Sequence, residues 1–379
     1  MREKTNFVHG YSGVSKDTGA ISFPIYQGVT FAHPALGENT RGFAYARADS
    51  PTRQEFERSL ALLEHGVRAW AFSSGMAAIS VFIKLFDVGD HLIVSEDLYG
   101  GTYRLFTEVY EKYGLTFDYV DTSSPEKVNA AIKPNTKGIF IETPSNPLMH
   151  VTDIKAVAER MKEIGAVVAV DNTFLSPYFQ KPLDLGADFV IHSATKYIGG
   201  HNDVLAGALI VKDEKWIEPI FTMAMSEGGT LGPSDSWLLL RSLKTLTVRM
   251  ERQQENAIRI VEYMKKHPKI KRVFYVGDEN HPDREVTLKQ TTGFGGMISF
   301  ALKNGEKVPE ILKRFQVITF AESLGGVESL ITYPMIQTHG AIPKEMRERL
   351  GVNDKLLRLS VGIEDVDDLI EDLEQALSI

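Results

Sequence analysis

The chain contains no cysteine. That absence excludes disulfide scaffolds, Cys-ligated zinc, Fe–S clusters and thiol nucleophiles together. Any nucleophile must be Ser, Thr, Lys, Tyr, His or a carboxylate. Long apolar runs are also missing: no stretch of about 18 residues is free of polar side chains, so no membrane span is expected. Met1–Gly10 carries charges and no apolar h-region, so the reading is a cytoplasmic protein without a secretory signal. An excess of positive charge is lacking too. The net charge is −8, from 42 basic and 50 acidic residues, and its even spread argues against nucleic acid as a partner. Internal repeats, low-complexity segments and the G-x-G-x-x-G, P-loop, H-E-x-x-H and G-x-S-x-G patterns are absent, and no metal site is indicated.

What is present suits an ordinary folded enzyme. With 379 residues and 43% hydrophobic content, the chain is long enough to bury roughly 75% of its unfolded surface. Residues 1–58 look irregular, an arm more than a domain. From about Leu60 to Val211 short apolar strands alternate with helical patterns. The strands are read at His91–Val94, Gly138–Ile141, Val167–Val170, Phe189–Ile191 and Ala208–Val211. The helices are read at Thr102–Tyr113, Pro125–Ile132 and Ile154–Ile164. Such alternation predicts an α/β fold with a mostly parallel sheet, and the continuous apolar runs predict strands covered on both faces. Ser234–His267 reads as one long connecting helix. Beyond it, strands at Met297–Leu302, Val317–Phe320 and Leu356–Val361 and helices at Val308–Phe315 and Val366–Leu377 predict a smaller α+β unit. The expected division is an arm over 1–58, a large domain over 59–245 and a small domain over 246–379.

Ligands of open parallel sheets bind beyond the carboxyl ends of the strands. Four strand ends here deliver polar groups in turn: Ser95-Glu96-Asp97-Leu98-Tyr99, Glu142-Thr143-Pro144-Ser145-Asn146, Asp171-Asn172-Thr173 and His192-Ser193-Ala194-Thr195-Lys196. Singly, each has a bland reading: Asp171 as a helix cap, Lys196 as a surface lysine, Ser73-Ser74-Gly75-Met76 as a small-residue helix start. Jointly they supply an anion cradle at a helix N-terminus, a hydroxyl pair, a lysine, a carboxylate and an aromatic ring. Those are the groups that pyridoxal phosphate needs for its phosphate, aldehyde, ring nitrogen and ring face.

At this point a family resemblance is visible. Ser193-Ala194-Thr195-Lys196-Tyr197-Ile198-Gly199-Gly200-His201-Asn202-Asp203 resembles the signature of the Cys/Met-metabolism family of pyridoxal-phosphate enzymes, which holds cystathionine γ-synthases, cystathionine β- and γ-lyases and methionine γ-lyases. Matching segments run in order along nearly the whole chain: Tyr45-Ala46-Arg47, Ser74-Gly75-Met76-Ala77-Ala78, Asp97-Leu98-Tyr99-Gly100-Gly101-Thr102, Glu142 to Pro147, Val170 to Thr173, Ser323-Leu324-Gly325-Gly326 and Leu357 to Gly362. The resemblance implies fold type I, the aspartate-aminotransferase-like architecture. It also implies that Lys196 takes the cofactor aldehyde covalently and then carries protons, that Asp171 pairs with the ring nitrogen, and that Tyr99 stacks on the ring. Gly75, Met76, Ser193 and Thr195 would bind the phosphate, while Tyr45 and Arg47 would reach the phosphate site of a neighbouring subunit. The implied assembly is a homo-oligomer that shares its sites across a dimer, usually a tetramer. Arg358 would hold the substrate carboxylate as a bidentate fork, with Ser145, Asn146 and Ser323 nearby. The roles of Glu328 and His339 stay open.

The family's reactions share a common start, so motifs alone do not separate elimination from replacement. Ala44 stands where γ-synthases and some γ-lyases often carry an acid for the distal amino group, and its absence favours an eliminating carbon–sulfur lyase. Gly101 stands where methionine γ-lyases carry a cysteine, which disfavours that branch. Asp49-Ser50-Pro51-Thr52 departs from the usual Asn-Pro-Thr of the arm. Phe320 to Ser329 resembles bacterial γ-synthases, which keeps replacement of an O-acylhomoserine by cysteine as the alternative. The S-x-x-K pattern at Ser193–Lys196 also fits a serine acylase, but the companion motifs are absent. A non-catalytic binding protein on the same fold is the remaining reading.

Overall fold

The computed structural model describes residues 1–340 and 342–379. Two sheets organise it. The first has seven strands: β1 (Arg68–Phe72), β2 (His91–Ser95), β3 (Thr116–Val120), β4 (Thr136–Glu142), β5 (Val167–Asp171), β6 (Phe189–His192) and β7 (Gly207–Val211), in the order β1-β7-β6-β5-β4-β2-β3. β6, β5, β4, β2 and β3 run parallel, and β7 runs antiparallel to both its neighbours. The expected mostly parallel sheet is therefore present, with two further strands, β1 and β3. β3 has no buried apolar run to mark it in the sequence: Thr116 is exposed and Phe117–Val120 are half-buried.

Strand alternation divides the core. Ile139, Ile141, Val168 and Val170 face one side, where Phe56 and Leu60 of helix α2 (Pro51–Glu64) join them; α2 follows a short helix α1 (Glu3–His9) in the arm. Phe140, Ala169, Phe189 and Ile191 face the other side, where Phe82 of α3 (Gly75–Ile83) packs on Phe189 with ring centroids 5.2 Å apart. This two-sided burial explains the unbroken apolar runs.

The second sheet has five strands: β8 (Ile270–Phe274), β9 (Met297–Leu302), β10 (Thr319–Phe320), β11 (Leu330–Thr332) and β12 (Leu356–Ser360), in the order β10-β11-β12-β9-β8. Only β10 and β11 pair in parallel. The helix Val366–Leu377 covers this sheet through Leu369 and Leu373.

Four local expectations change. Ser234–His267 is two helices, Pro233–Leu243 and Leu246–Lys266. They part where the Arg249 guanidinium bonds the Ser242 carbonyl at 3.0 Å. The expected strand Val317–Phe320 shortens to two residues because the N–H groups of Gln316, Val317 and Ile318 donate to the Asp372 carboxylate instead of a neighbouring strand. The helix read at Val308–Phe315 is only Val308–Ile311. Thr102–Tyr113 winds in three modes, an α turn, a π-helical stretch over Leu105–Tyr110 and a 3₁₀ turn. Among the described residues no helix is long and apolar enough to cross a membrane.

Candidate active site

The carboxyl ends of the neighbouring strands β2, β4, β5 and β6 open into a cavity of about 190 Å³. Its lining includes Gly75, Met76, Tyr99, Asn146, Asp171, Ser193, Thr195, Lys196, Ser323 and Arg358. Residues far apart in the sequence thus meet at one place.

One wall is the start of α3. Ser74 caps it by accepting the Ala77 N–H at 3.1 Å, which leaves the first-turn N–H groups of Gly75 and Met76 without an intrahelical acceptor. A Cβ on Gly75 would lie 3.1 Å from Cα and Cβ of Ser193, so only glycine leaves that cleft open. Ser193 donates its N–H to the Thr173 hydroxyl at 2.9 Å. Thr195 is held differently: its hydroxyl bonds the Ala206 carbonyl at 3.0 Å and accepts the Ala206 N–H at 2.9 Å.

Lys196 lies in the turn after β6, and its Nζ donates to the Ser323 hydroxyl at 2.8 Å. Burial, helped by the Arg358 charge, pulls its pKa down to about 8. Asp171 ends β5, with one oxygen accepting the Thr173 N–H at 3.0 Å. Burial pushes its pKa up, and the bonds to Thr173 oppose that shift. Tyr99 is 42% exposed, so its ring is free at the mouth of the cavity.

Arg358 enters from β12 and is 2% exposed. It donates to the Asn146 side chain at 2.8 Å, the Ser323 carbonyl at 3.1 Å and the Thr332 hydroxyl at 3.3 Å. Its Nε has no partner, and no carboxylate pairs with it among the described residues. Burial pulls its pKa down to about 10, so it stays a cation. A buried guanidinium without a counter-ion is costly unless an anion arrives.

Three expected residues lie elsewhere. Ser145 does not line this cavity: its hydroxyl donates to the Asp97 carboxylate and accepts the His150 N–H at 2.9 Å, in a neighbouring polar cavity at the carboxyl ends of β2, β3 and β4. Tyr45 and Arg47 sit together on the arm, the Arg47 guanidinium 5.8 Å from the Tyr45 ring centre, and neither lines the Lys196 cavity of its own chain. His339 is buried, with Nε2 2.9 Å from the Asn146 carbonyl, and burial pulls its pKa down to about 4. It braces the Asn146 backbone as a neutral ring. Glu328 accepts a bond from Asn202 at 2.8 Å, outside the cavity.

Sequence reasoning missed Glu142, Thr173 and Glu322, all of which line the cavity. Glu142 accepts the Tyr99 backbone N–H at 2.9 Å, and Glu322 is exposed beside Ser323. Glu142 was in view as the last residue of β4 but carried no assigned task.

An open N-terminal cradle, an amine with lowered pKa, a buried carboxylate and an aromatic ring thus meet at one parallel-sheet edge, the set of groups that pyridoxal phosphate requires. The chain belongs to the Cys/Met metabolism PLP-dependent enzyme family, whose profile matches residues 4–378. It is 48% identical to a cystathionine gamma-lyase of Bacillus subtilis (strain 168), over 100% of this chain and 99% of that one. It is 46% identical to a cystathionine beta-lyase of Lactococcus lactis subsp. cremoris (strain MG1363), over 99% and 98%. It is 51% identical to a cystathionine gamma-synthase/O-acetylhomoserine (thiol)-lyase of Bacillus subtilis, over 95% and 92%. The crystal structure of a cystathionine gamma-lyase from Lactobacillus plantarum complexed with L-serine superposes with a TM-score of 0.97 at 46% identity, covering 100% of this chain and 99% of that one.

Proposed function

We propose that this enzyme is a carbon–sulfur lyase that cleaves cystathionine or a related sulfur amino acid by β- or γ-elimination. The observation that carries the reading is Arg358. It is a buried guanidinium to which no carboxylate is paired among the described residues, in the lining of the cavity that holds Lys196. Such a fork suits the carboxylate of an amino acid whose α-carbon then lies toward the lysine. Glu322, exposed on the same rim, offers a carboxylate to a distal ammonium, which cystathionine carries at its far end.

Pyridoxal phosphate, when bound, supplies an aldehyde that captures amines and a ring that accepts charge from the α-carbon. The residues here fit it: the Gly75–Met76 N–H pair and the Ser193 hydroxyl for the phosphate, with Thr195 contributing at the same edge. Lys196 would hold the aldehyde, and its Nζ, with a pKa lowered to about 8, is suited to taking and returning a proton. Asp171 would pair with the ring nitrogen, Tyr99 would cover the ring, and Ser323 orients Nζ. In this reading Asn146 sets the Arg358 fork and Ser145 acts only through the loop that carries Asn146. Tyr45 and Arg47 complete the phosphate site of a neighbouring subunit in a dimer-based homotetramer, with residues 1–58 as the arm and the domain boundary near residue 245.

Replacement of an O-acylhomoserine by cysteine is the second reading, favoured by the 51% identical synthase and the Phe320–Ser329 segment. Product analysis separates them. Pyruvate and homocysteine from cystathionine mean β-elimination, and 2-oxobutyrate and cysteine mean γ-elimination. Cystathionine made from an O-acylhomoserine and cysteine, without cleavage, would replace the lyase reading with the synthase.

A further inference from the structure

Glu142 and Asp171 are register partners at the ends of the adjacent parallel strands β4 and β5, and both carboxyls line the Lys196 cavity. Neighbouring strands lie about 4.8 Å apart. Register partners project to the same face of a sheet, and two carboxylates held side by side out of bulk water do not both ionise without a large cost. We propose that Glu142 and Asp171 share a single negative charge, with Glu142 as the neutral carboxyl that positions Tyr99 through its backbone N–H.

The surroundings decide which partner keeps the proton. Asp171 accepts the Thr173 N–H at 3.0 Å. Across β6 it also has His192, whose Nε2 lies 2.6 Å from the fully buried Glu64 and which favours the ionised form of Asp171. Glu142 has the Tyr99 N–H at 2.9 Å, and from the loop after β2 it faces the Asp97 carboxyl. Arg358 approaches from β12, but its donors go to Asn146, Ser323 and Thr332. Lys196 is tied to Ser323 across the cavity. Burial first, and the Asp171 charge second, push the Glu142 pKa well above the usual carboxyl range. A neutral Glu142 still accepts the Tyr99 N–H, and it leaves Asp171 as the one anion on the cavity floor. The task given to that anion rests on the proposed function, in which it meets the ring nitrogen.

The test is infrared spectroscopy of protein carrying ¹³C-labelled glutamate carboxyls, with and without cofactor. A label-sensitive protonated-carboxyl stretch is expected at neutral pH, absent from Glu142→Gln. Glu142→Gln, whose amide carbonyl still accepts the Tyr99 N–H, should bind cofactor within about threefold of wild type, whereas Glu142→Ala should weaken it by about tenfold. In cofactor-free Asp171→Asn the same stretch should disappear at a lower pH than in wild type. No protonated band in wild type, or a Gln variant as impaired as the Ala variant, would overturn the proposal. Asp171→Asn that binds cofactor as wild type does would instead refute the role of Asp171, and the infrared result on cofactor-free protein would still judge the carboxyl pair.

Discussion

Ser323 links the amine of the cavity to its guanidinium: its hydroxyl accepts from Lys196 at 2.8 Å, and its carbonyl accepts from Arg358 at 3.1 Å. It does so with φ at 85°, a left-handed conformation that costs a non-glycine residue about 1–3 kcal/mol. A strained residue that joins two functional groups is held by its surroundings. Ser323→Ala keeps the carbonyl and removes the hydroxyl. It should lower kcat by about three- to tenfold with little change in KM, as steady-state kinetics will read. An unchanged kcat would reduce the hydroxyl to a packing role.

Arg358→Lys should separate substrate binding from cofactor binding. A lysine keeps the charge but not the planar fork. KM for the amino acid should rise by about 10–100-fold, while cofactor affinity, measured by titrating the cofactor-free enzyme, stays level. Equal losses in both would assign Arg358 to the cofactor instead.

The lowered pKa of Lys196 makes a stability prediction. In the folded, cofactor-free protein it titrates at about 8, against 10.5 unperturbed. Between those values the unfolded chain binds the proton and the fold does not, so stability rises with pH across that window. Below about 8 the fold carries the full cost of the buried cation. Lys196→Met should therefore stabilise the cofactor-free protein at neutral pH by an amount on the order of 2 kcal/mol, while abolishing turnover. The gain should shrink as pH approaches 10.5. Thermal melts across this range check it, and a pH-independent difference would mean that packing, not charge, separates the two proteins.

Much of the site was legible because strands buried on both faces end abruptly in polar residues. Val170-Asp171 and Ile191-His192 mark such ends, and the sheet brings them side by side. Direction was not legible. Ser145 and Asn146 are consecutive, yet Asn146 turns to Arg358 and Ser145 turns to Asp97 in the loop after β2. Arg358 itself sits in an apolar strand, Leu356–Ser360, buried throughout. Nothing in its own segment tells that the strand faces a cavity built from the other sheet. The break after Leu243 was hidden because the apolar stripe of Leu239, Leu243, Leu246 and Met250, all buried, continues across it.

The arm has its own clamp. Arg53, 3% exposed, donates to the carbonyls of Ala46 at 2.7 Å and Ala48 at 2.9 Å, the two residues that flank Arg47. Its Nε pairs with Glu57 at 3.2 Å. Arg53→Met would remove these bonds and leave Glu57 with the Ala71 N–H at 2.9 Å and Arg68 at 3.9 Å, at a cost of about 1–3 kcal/mol, and would free the Tyr45–Arg47 segment. Reduced cofactor retention on dialysis, beyond what the lower melting temperature accounts for, is the expected result. Lost stability with full retention would detach the arm from the cofactor site.

Gly101 is crowded by the Tyr99 ring. A Cβ added at Gly101 would lie 2.3 Å from Cε1 of the Tyr99 ring and 3.0 Å from two of its other atoms. The ring, 42% exposed, has room to swing outward, so Gly101→Ala should fold but displace it. If the ring covers the cofactor, the lost stacking is worth about 0.5–1.5 kcal/mol, or a two- to tenfold weaker affinity. The decisive measurement is a double-mutant cycle with Tyr99→Ala. Once the ring is gone, Gly101→Ala should have no further effect on cofactor affinity. An equal penalty in both backgrounds would mean that the methyl group acts on the backbone of the turn, and Tyr99 would lose its place over the ring.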